Sequence, residues 1–290
     1  MIRQKSYQTE NGTLYLVATP IGNLEDMTFR AVRILSEVDY IYAEDTRVTK
    51  KLLSHFNINT ALRSYHMFNE NEKISEIIGL LKEGKQLALV TDAGLPGISD
   101  PGYLIAKDAI HEHLTVIVIP GASAATTALL TSGLVIEPYL FYGFLHSKQS
   151  KRRSELEQLK NNKETIVLYE SIHRLKDTFS DMLDILGDRS VALARELTKK
   201  HEEIIRGTIS QIIPILEELK GEFVIVVSGS TITEEDLAFN ELSFEDLVKH
   251  FQSLGLKEMD MMKKIASIKG VSKSEIYKEY IYKFKKKDSN

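Results

Sequence analysis

Eleven consecutive residues, Asp92-Ala93-Gly94-Leu95-Pro96-Gly97-Ile98-Ser99-Asp100-Pro101-Gly102, hold three Gly, two Pro and two Asp, with no Lys or Arg. Glycine lets a backbone come close to a ligand because it has no Cβ, and proline fixes the course of the turn. Two carboxylates without a cation disfavour a bare triphosphate and suit a small molecule with a positive centre. The loop follows Gln86-Leu87-Ala88-Leu89-Val90-Thr91, which reads as a buried strand. The carboxyl ends of parallel strands are where open α/β sheets bind ligands. Two other predicted strands end in similar loops, Thr19-Pro20-Ile21-Gly22-Asn23 and Pro120-Gly121-Ala122-Ser123-Ala124. The latter opens a helix of small residues whose first N–H groups suit a carboxylate or hydroxyl. Three such loops predict one composite site, the alternative being three ordinary strand–helix turns.

Four polar clusters also stand where strands surface: Ala43-Glu44-Asp45-Thr46-Arg47, Gly143-Phe144-Leu145-His146-Ser147-Lys148, Tyr169-Glu170-Ser171-Ile172-His173-Arg174 and Ala194-Arg195-Glu196-Leu197-Thr198-Lys199. Neighbouring acids and bases shift one another's pKa values, as active sites often require. Salt bridges and helix caps are the competing reading, with Asp45 and Ser171 as cap candidates. Familiar nucleotide, zinc and calcium motifs are absent, and the eight His do not fall at metal-ligand spacing. No metal is expected. The lack of Cys excludes disulfides and thiolate chemistry.

The elements that must hold these residues alternate. Strands are predicted over 14–18, 40–43, 61–65, 87–91 and 116–119, with helical spacing between them, as in Ile74, Ile77, Ile78 and Leu81. Such alternation predicts an α/β fold with a parallel, doubly wound sheet. After 134–138, which reads as a linker, a second block has strands at 140–144, 166–169, 191–194, 203–206 and 223–227. Its helices fall near 153–160, 175–186 and 209–219, and its irregular spacing predicts a mixed sheet. Three helices follow, over 244–254, 257–268 and 274–284, the last opened by a Ser272/Glu275 capping box. They resemble a helix-turn-helix, or equally a small packing module. Domains are expected at 1–133, 134–230 and 231–290.

The 290 residues carry a net charge of −4, which does not mark a nucleic-acid binder. The charge is unevenly spread, however. Residues 257–290 hold ten Lys against five Asp or Glu, and residues 146–163 hold six Lys or Arg against two Glu. Such patches steer polyanions, or are simply solvated helix faces. No membrane-length apolar run is present, and no apolar segment follows the N-terminal Met1-Ile2-Arg3-Gln4-Lys5. A cytoplasmic enzyme is expected.

Taken in order, 19–24, 43–47, 92–102, 120–124, 169–174 and 194–199 resemble the motifs of the tetrapyrrole-methylase-like, class III S-adenosylmethionine (SAM) enzymes. Within that class the likeness is to the methyltransferases of the cytidine ribose 2′-hydroxyl in 16S ribosomal RNA. It runs from about residue 13 to 229. The resemblance implies two α/β domains with SAM in the cleft between them, a helical extension and a homodimer. It places SAM against Pro20, Asp92, Gly94, Ser99, Asp100, Gly121, Ser123 and Ala124, with Tyr169 closing the pocket. A sulfonium and an ammonium agree with the acidic loop. Glu170 and Glu196 become candidates for proton acceptor or hydroxyl positioning. Arg174, Arg195 and Lys199 would meet phosphates or the developing alkoxide. Lys148, Lys151, Arg152, Arg153 and the C-terminal helices would grip the RNA backbone of the small ribosomal subunit. Two other readings remain: the same fold acting on a tetrapyrrole, another small molecule or a protein, and an RNA-binding protein without catalysis.

Overall fold

In the computed structural model, which describes residues 3–6, 11–231, 239, 242–269 and 271–285, the first half of the chain builds a fully parallel sheet. Its strands are β1 (Thr13–Val17), β2 (Tyr40–Ala43), β3 (Ala61–Ser64), β4 (Leu87–Val90) and β5 (Thr115–Ile119), in the order β3-β2-β4-β1-β5. All four residues of β4 are buried, as expected of a strand covered on both faces. Helices α1 (Phe29–Glu37) and α2 (Thr46–His55) cover one face through Ala31, Ile34, Leu35 and Leu53. Helices α3 (Glu70–Lys82) and α4 (Tyr103–His111) cover the other through Ile77, Leu81, Ile105 and Ala109. The neighbours β1 and β4 therefore send their crossovers to opposite faces. Their connections diverge at the carboxyl ends and leave a crevice there, the usual ligand position in such sheets.

The second sheet has the order β6-β7-β10-β8-β9, from β6 (Tyr139–Phe144), β7 (Thr165–Ser171), β8 (Ser190–Arg195), β9 (Glu203–Thr208) and β10 (Glu222–Val227). Only β6 and β7 run parallel; the other pairs are antiparallel. Helices α6 (Gln149–Leu159) and α7 (Ile172–Leu186) contribute to the core on one face. The opposite face is covered by α5 (Ala124–Ser132), which follows the first sheet in the chain. Its Ala125, Ala128 and Leu129 pack on Val167, Ala192, Ala194, Val224 and Val226. Small side chains let this helix lie close to the strands, and Arg206 Nε donates to the carbonyls of Thr131 (3.1 Å) and Ser132 (3.2 Å) at its end. The helix thus couples the two sheets.

The helix expected over 209–219 is instead a single α turn, α8 (Ile209–Ile212), followed by a 3-10 helix (Ile213–Glu218). Pro214 has no N–H to continue the α ladder. The C-terminal helices α9 (Phe244–Ser253), α10 (Glu258–Lys269) and α11 (Lys273–Tyr280) share a core of their own, including Leu247, Phe251, Met262, Ile265 and Ile276. The Ser272/Glu275 capping box is formed. Gly270 and most of the acidic connector, 232–238 and 240–241, lie outside the described residues. Among the described residues no helix is long and apolar enough to cross a membrane.

Candidate active site

The loops after β1 and β4 are pinned together at the crevice. Thr19 N donates to Gly94 O at 2.8 Å and Gly94 N to Thr19 O at 3.1 Å, while Thr19 Oγ1 donates to Thr91 O at 3.1 Å. Pro20 is buried beside this bridge. Gly121, after β5, lies against Ala18: a Cβ there would sit 2.8 Å from the Ala18 Cβ. Ser123 is the N-cap of α5, and its side chain makes no capping hydrogen bond.

The second sheet reaches these loops at two points. A bulge in β6 falls between Phe141 and Gly143, and Gly143 has φ 81°. A Cβ at Gly143 would lie 3.0 Å from Ser99 Oγ, so glycine answers both the backbone angle and the close approach. Gly22 faces the loop after β8, where a Cβ would meet Lys199 Cγ at 2.6 Å and Leu197 O at 3.0 Å. Ser99 (φ 65°), Glu196 (φ 50°) and Thr198 (φ 65°) hold left-handed backbone in these same loops. Such strain gathers where surrounding structure over-determines a ligand site.

Carboxylates converge on the crevice from the ends of β2 and β4. Asp45 N donates to Asp92 Oδ1 at 3.2 Å. Burial raises Asp100 to about 6, with the charges of Glu44 and Asp92 adding to the rise. Burial also raises Asp92, helped by Asp45, and raises Glu44, helped by Asp92. Mutual elevation of this kind marks an excess of negative charge that a cation would relieve. Asp45 is the exception: hydrogen bonds from Arg47 hold it down at about 2. It caps α2 by accepting Arg47 N at 2.8 Å. Tyr169 on β7 faces the same space. Burial raises its phenol, the Ala125 N–H lowers it and Asp100 raises it further. Tyr169, Asp100 and the first turn of α5 are thereby brought together. Phe141 and Phe144 pack edge-on to the Tyr169 ring at 5.2 and 5.5 Å between centroids.

The expected catalytic residues are held in hydrogen-bond and ion-pair networks around these loops. Glu170 alternates with Tyr169 on β7, so it points to the α7 side and is 3% exposed. Its carboxylate accepts Thr178 Oγ1 at 2.6 Å and Ser171 N at 2.8 Å. It also lies 3.4 Å from Arg174 Nη2, which donates to the carbonyls of Leu145 (2.7 Å) and His146 (3.2 Å). Glu170 and Arg174 position the loop after β6. Burial by itself would raise Glu196, but the Glu222 N–H, Lys199 and Arg195 hold it low. Glu196 accepts Glu222 N at 3.0 Å and Lys199 Nζ at 3.1 Å, and Lys199 also pairs with Glu222 at 2.8 Å. Arg195 is spent on Lys220 O and Glu203. These residues shape the loop that meets Gly22.

Within the basic segment, Arg152 is 3% exposed and pairs with the buried Asp181 at 2.7 Å. Arg153 pairs with Asp181 at 2.7 Å and Asp184 at 3.1 Å. Both clamp α6 to α7, and Arg152 is too buried to meet phosphate. Lys148 and Lys151 are exposed. Sequence reasoning also missed His66. It lies two residues beyond β3, with its backbone N–H donated to Asn69 Oδ1 at 2.8 Å. Its Nδ1 is buried and has no hydrogen-bond partner among the described residues. A polar residue just beyond a parallel strand, before the exposed Met67 and Phe68, was the available signal.

A family profile described as Tetrapyrrole (Corrin/Porphyrin) Methylases matches residues 13–213. The chain belongs to the tetrapyrrole methylase family. Members of this family use SAM as methyl donor, and this tetrapyrrole methylase is a SAM-dependent methyltransferase. It is 50% identical to the Ribosomal RNA small subunit methyltransferase I of Halalkalibacterium halodurans, over 97% of this chain and 99% of that protein. It is also 50% identical to the protein of the same name from Bacillus subtilis, over 96% and 98% respectively. The uroporphyrin-III-C-methyltransferase of Thermus thermophilus shares the fold, with a TM-score of 0.56 at 21% identity over 75% of this chain and 94% of that one.

Proposed function

We propose that the protein transfers a methyl group from SAM to the ribose 2′-hydroxyl of a cytidine in small-subunit ribosomal RNA. Near-full-length similarity to proteins named for ribosomal RNA methylation carries this reading. Bound SAM supplies a methyl group on a sulfonium. The donor set suits it: raised carboxylates at Asp92 and Asp100, no Lys or Arg in the 92–102 loop, and close backbone at Gly121 and Gly143. Pro20, Asp92, Gly94, Ser99, Asp100, Gly121, Ser123, Ala124 and Tyr169 would hold the cofactor.

Alignment of the acceptor oxygen is the main catalytic contribution. A ribose hydroxyl is a weak acid, so a proton acceptor assists. With Glu170 and Glu196 engaged elsewhere, we assign that role to Glu44, whose raised carboxyl adjoins Asp92 and His66. Lys148 and Lys151 steer the RNA backbone, and a second copy of the chain docks on the exposed Leu130, Val135 and Ile136. Tritiated SAM, offered with small ribosomal subunits and with tetrapyrrole and protein controls, tests the reading. Label is expected in RNA, at one linkage that resists alkali. Label in a control alone overturns it.

A further inference from the structure

On the α1–α2 side of the crevice lies a cavity of about 260 Å³. The loop after β1 lines it with Pro20 and Leu24, and α2 lines it with Val48, Leu52 and Lys51. Asp92 completes it at the end nearest the 92–102 loop. Ser99, Asp100, Ala124 and Tyr169, which converge on the second sheet, are not among its walls. Asp92 lines the cavity and its charge also acts on Asp100, so it stands between the two groups of residues.

The compartment beside α2 has its own chemistry. Leu24 and Val48 are large apolar side chains left 41% and 42% exposed, an exposure that a flat apolar ligand would cover. Lys51 is exposed and makes no ion pair among the described residues. An apolar slot with one cation and one carboxylate along its length matches a single nucleotide, in base, phosphate and ribose. The volume lies just below the usual range for small-molecule sites, roughly 300 Å³ upward, which suits one nucleotide and not a tetrapyrrole macrocycle. RNA is read most readily where bases are unstacked and splayed out, so an isolated nucleotide is a reasonable occupant.

We propose that this cavity is the acceptor-nucleotide subsite. An unstacked pyrimidine nucleotide lies with its base against Leu24, Val48 and Leu52, its phosphate at Lys51 and its ribose at Asp92, next to the donor loop. The inference rests on the RNA-methylation reading above.

Val48→Trp fills the cavity at a half-exposed position, and Lys51→Glu reverses the charge on a surface side chain. SAM dissociation constants and steady-state methylation of small ribosomal subunits are measured for both variants and the wild type. Each variant is expected to raise KM for subunits about tenfold or more, with SAM affinity within about twofold of wild type. If Val48→Trp does not fold, Lys51→Glu carries the test. Loss of SAM affinity assigns the cavity to the donor and overturns the proposal, as does an unchanged KM in the folded variants. A wild-type protein that binds SAM but methylates no subunit overturns the RNA reading, and the subsite with it. Normal wild-type transfer with unaltered variants overturns the subsite alone.

Discussion

At Asp100, burial and the charges of two other carboxylates act on one side chain. Burial, Glu44 and Asp92 raise its folded pKa to about 6, above the ordinary value near 4 of an unfolded aspartate. Its protonation therefore stabilises the ligand-free fold fully below about pH 4, and that contribution is lost as pH rises through about 6. Cofactor affinity has the opposite sign, because a cation needs the carboxylate. SAM affinity is expected to fall as pH drops below about 6, and Asp100→Asn to bind SAM weakly with little pH dependence. The same variant should melt higher than wild type at pH 8 without SAM, the difference vanishing near pH 4. Calorimetric titration and thermal melts check both, and wild-type SAM affinity that is flat from pH 5 to 8 would contradict the assignment. Glu44→Gln should lower kcat by roughly 10²-fold, within the usual range of a positioned acid or base, while SAM affinity changes by less than about threefold. Retention of full kcat removes Glu44 as proton acceptor.

At the scale of elements, charge that looks alike in the sequence divides by burial. Arg152 and Arg153 fasten α6 to Asp181 on α7, whereas Lys148 and Lys151, at the same helix end, face solvent. Arg152→Ala leaves a carboxylate buried with fewer partners, and breaking such a pair costs about 3–5 kcal/mol. Urea denaturation should show that loss, reduced somewhat by the bonds from Arg153 and Gln149 to Asp181. Lys148→Glu with Lys151→Glu should leave the urea midpoint unchanged and weaken RNA binding. The reverse pattern would return the buried arginines to the RNA. Helix α5 divides in the same way: its small side chains suggest a ligand-binding N-terminus in the sequence, and in the structure they form the seam with the second sheet.

For the whole molecule, the crevice works because two sheets meet at it. Gly22 against 197–199 and Gly143 against Ser99 bring the second sheet onto the loops of the first. The C-terminal helices have their own core and expose Lys273 and Lys278 beside Tyr277. If they hold RNA, replacing both lysines by Gln should flatten the salt dependence of RNA binding, by roughly 0.7 in log–log slope for each single-strand phosphate that is no longer neutralised. SAM affinity should not change. An unaltered slope would leave the helices a packing module.

Periodicity and punctuation by themselves determined the ten strands found among the described residues, the parallel character of the first sheet and the mixed character of the second. These are local signals: apolar runs such as 87–90 and loops such as 92–102 reflect nearest-neighbour physics. The two Asp and the lack of Lys or Arg in the 92–102 loop, which argue for a cation over a phosphate, are likewise legible in the composition. Tertiary structure decided which charges are available. Glu170 and Tyr169 are adjacent in the chain, yet strand alternation sends one to the α7 core and the other to the cleft. Glu44, His66 and Asp92 come from three separate strand ends, and no spacing in the chain marks them as neighbours. The raised pKa values of Glu44 and Asp92 arise from burial and from that convergence, and both depend on how β2 and β4 lie side by side.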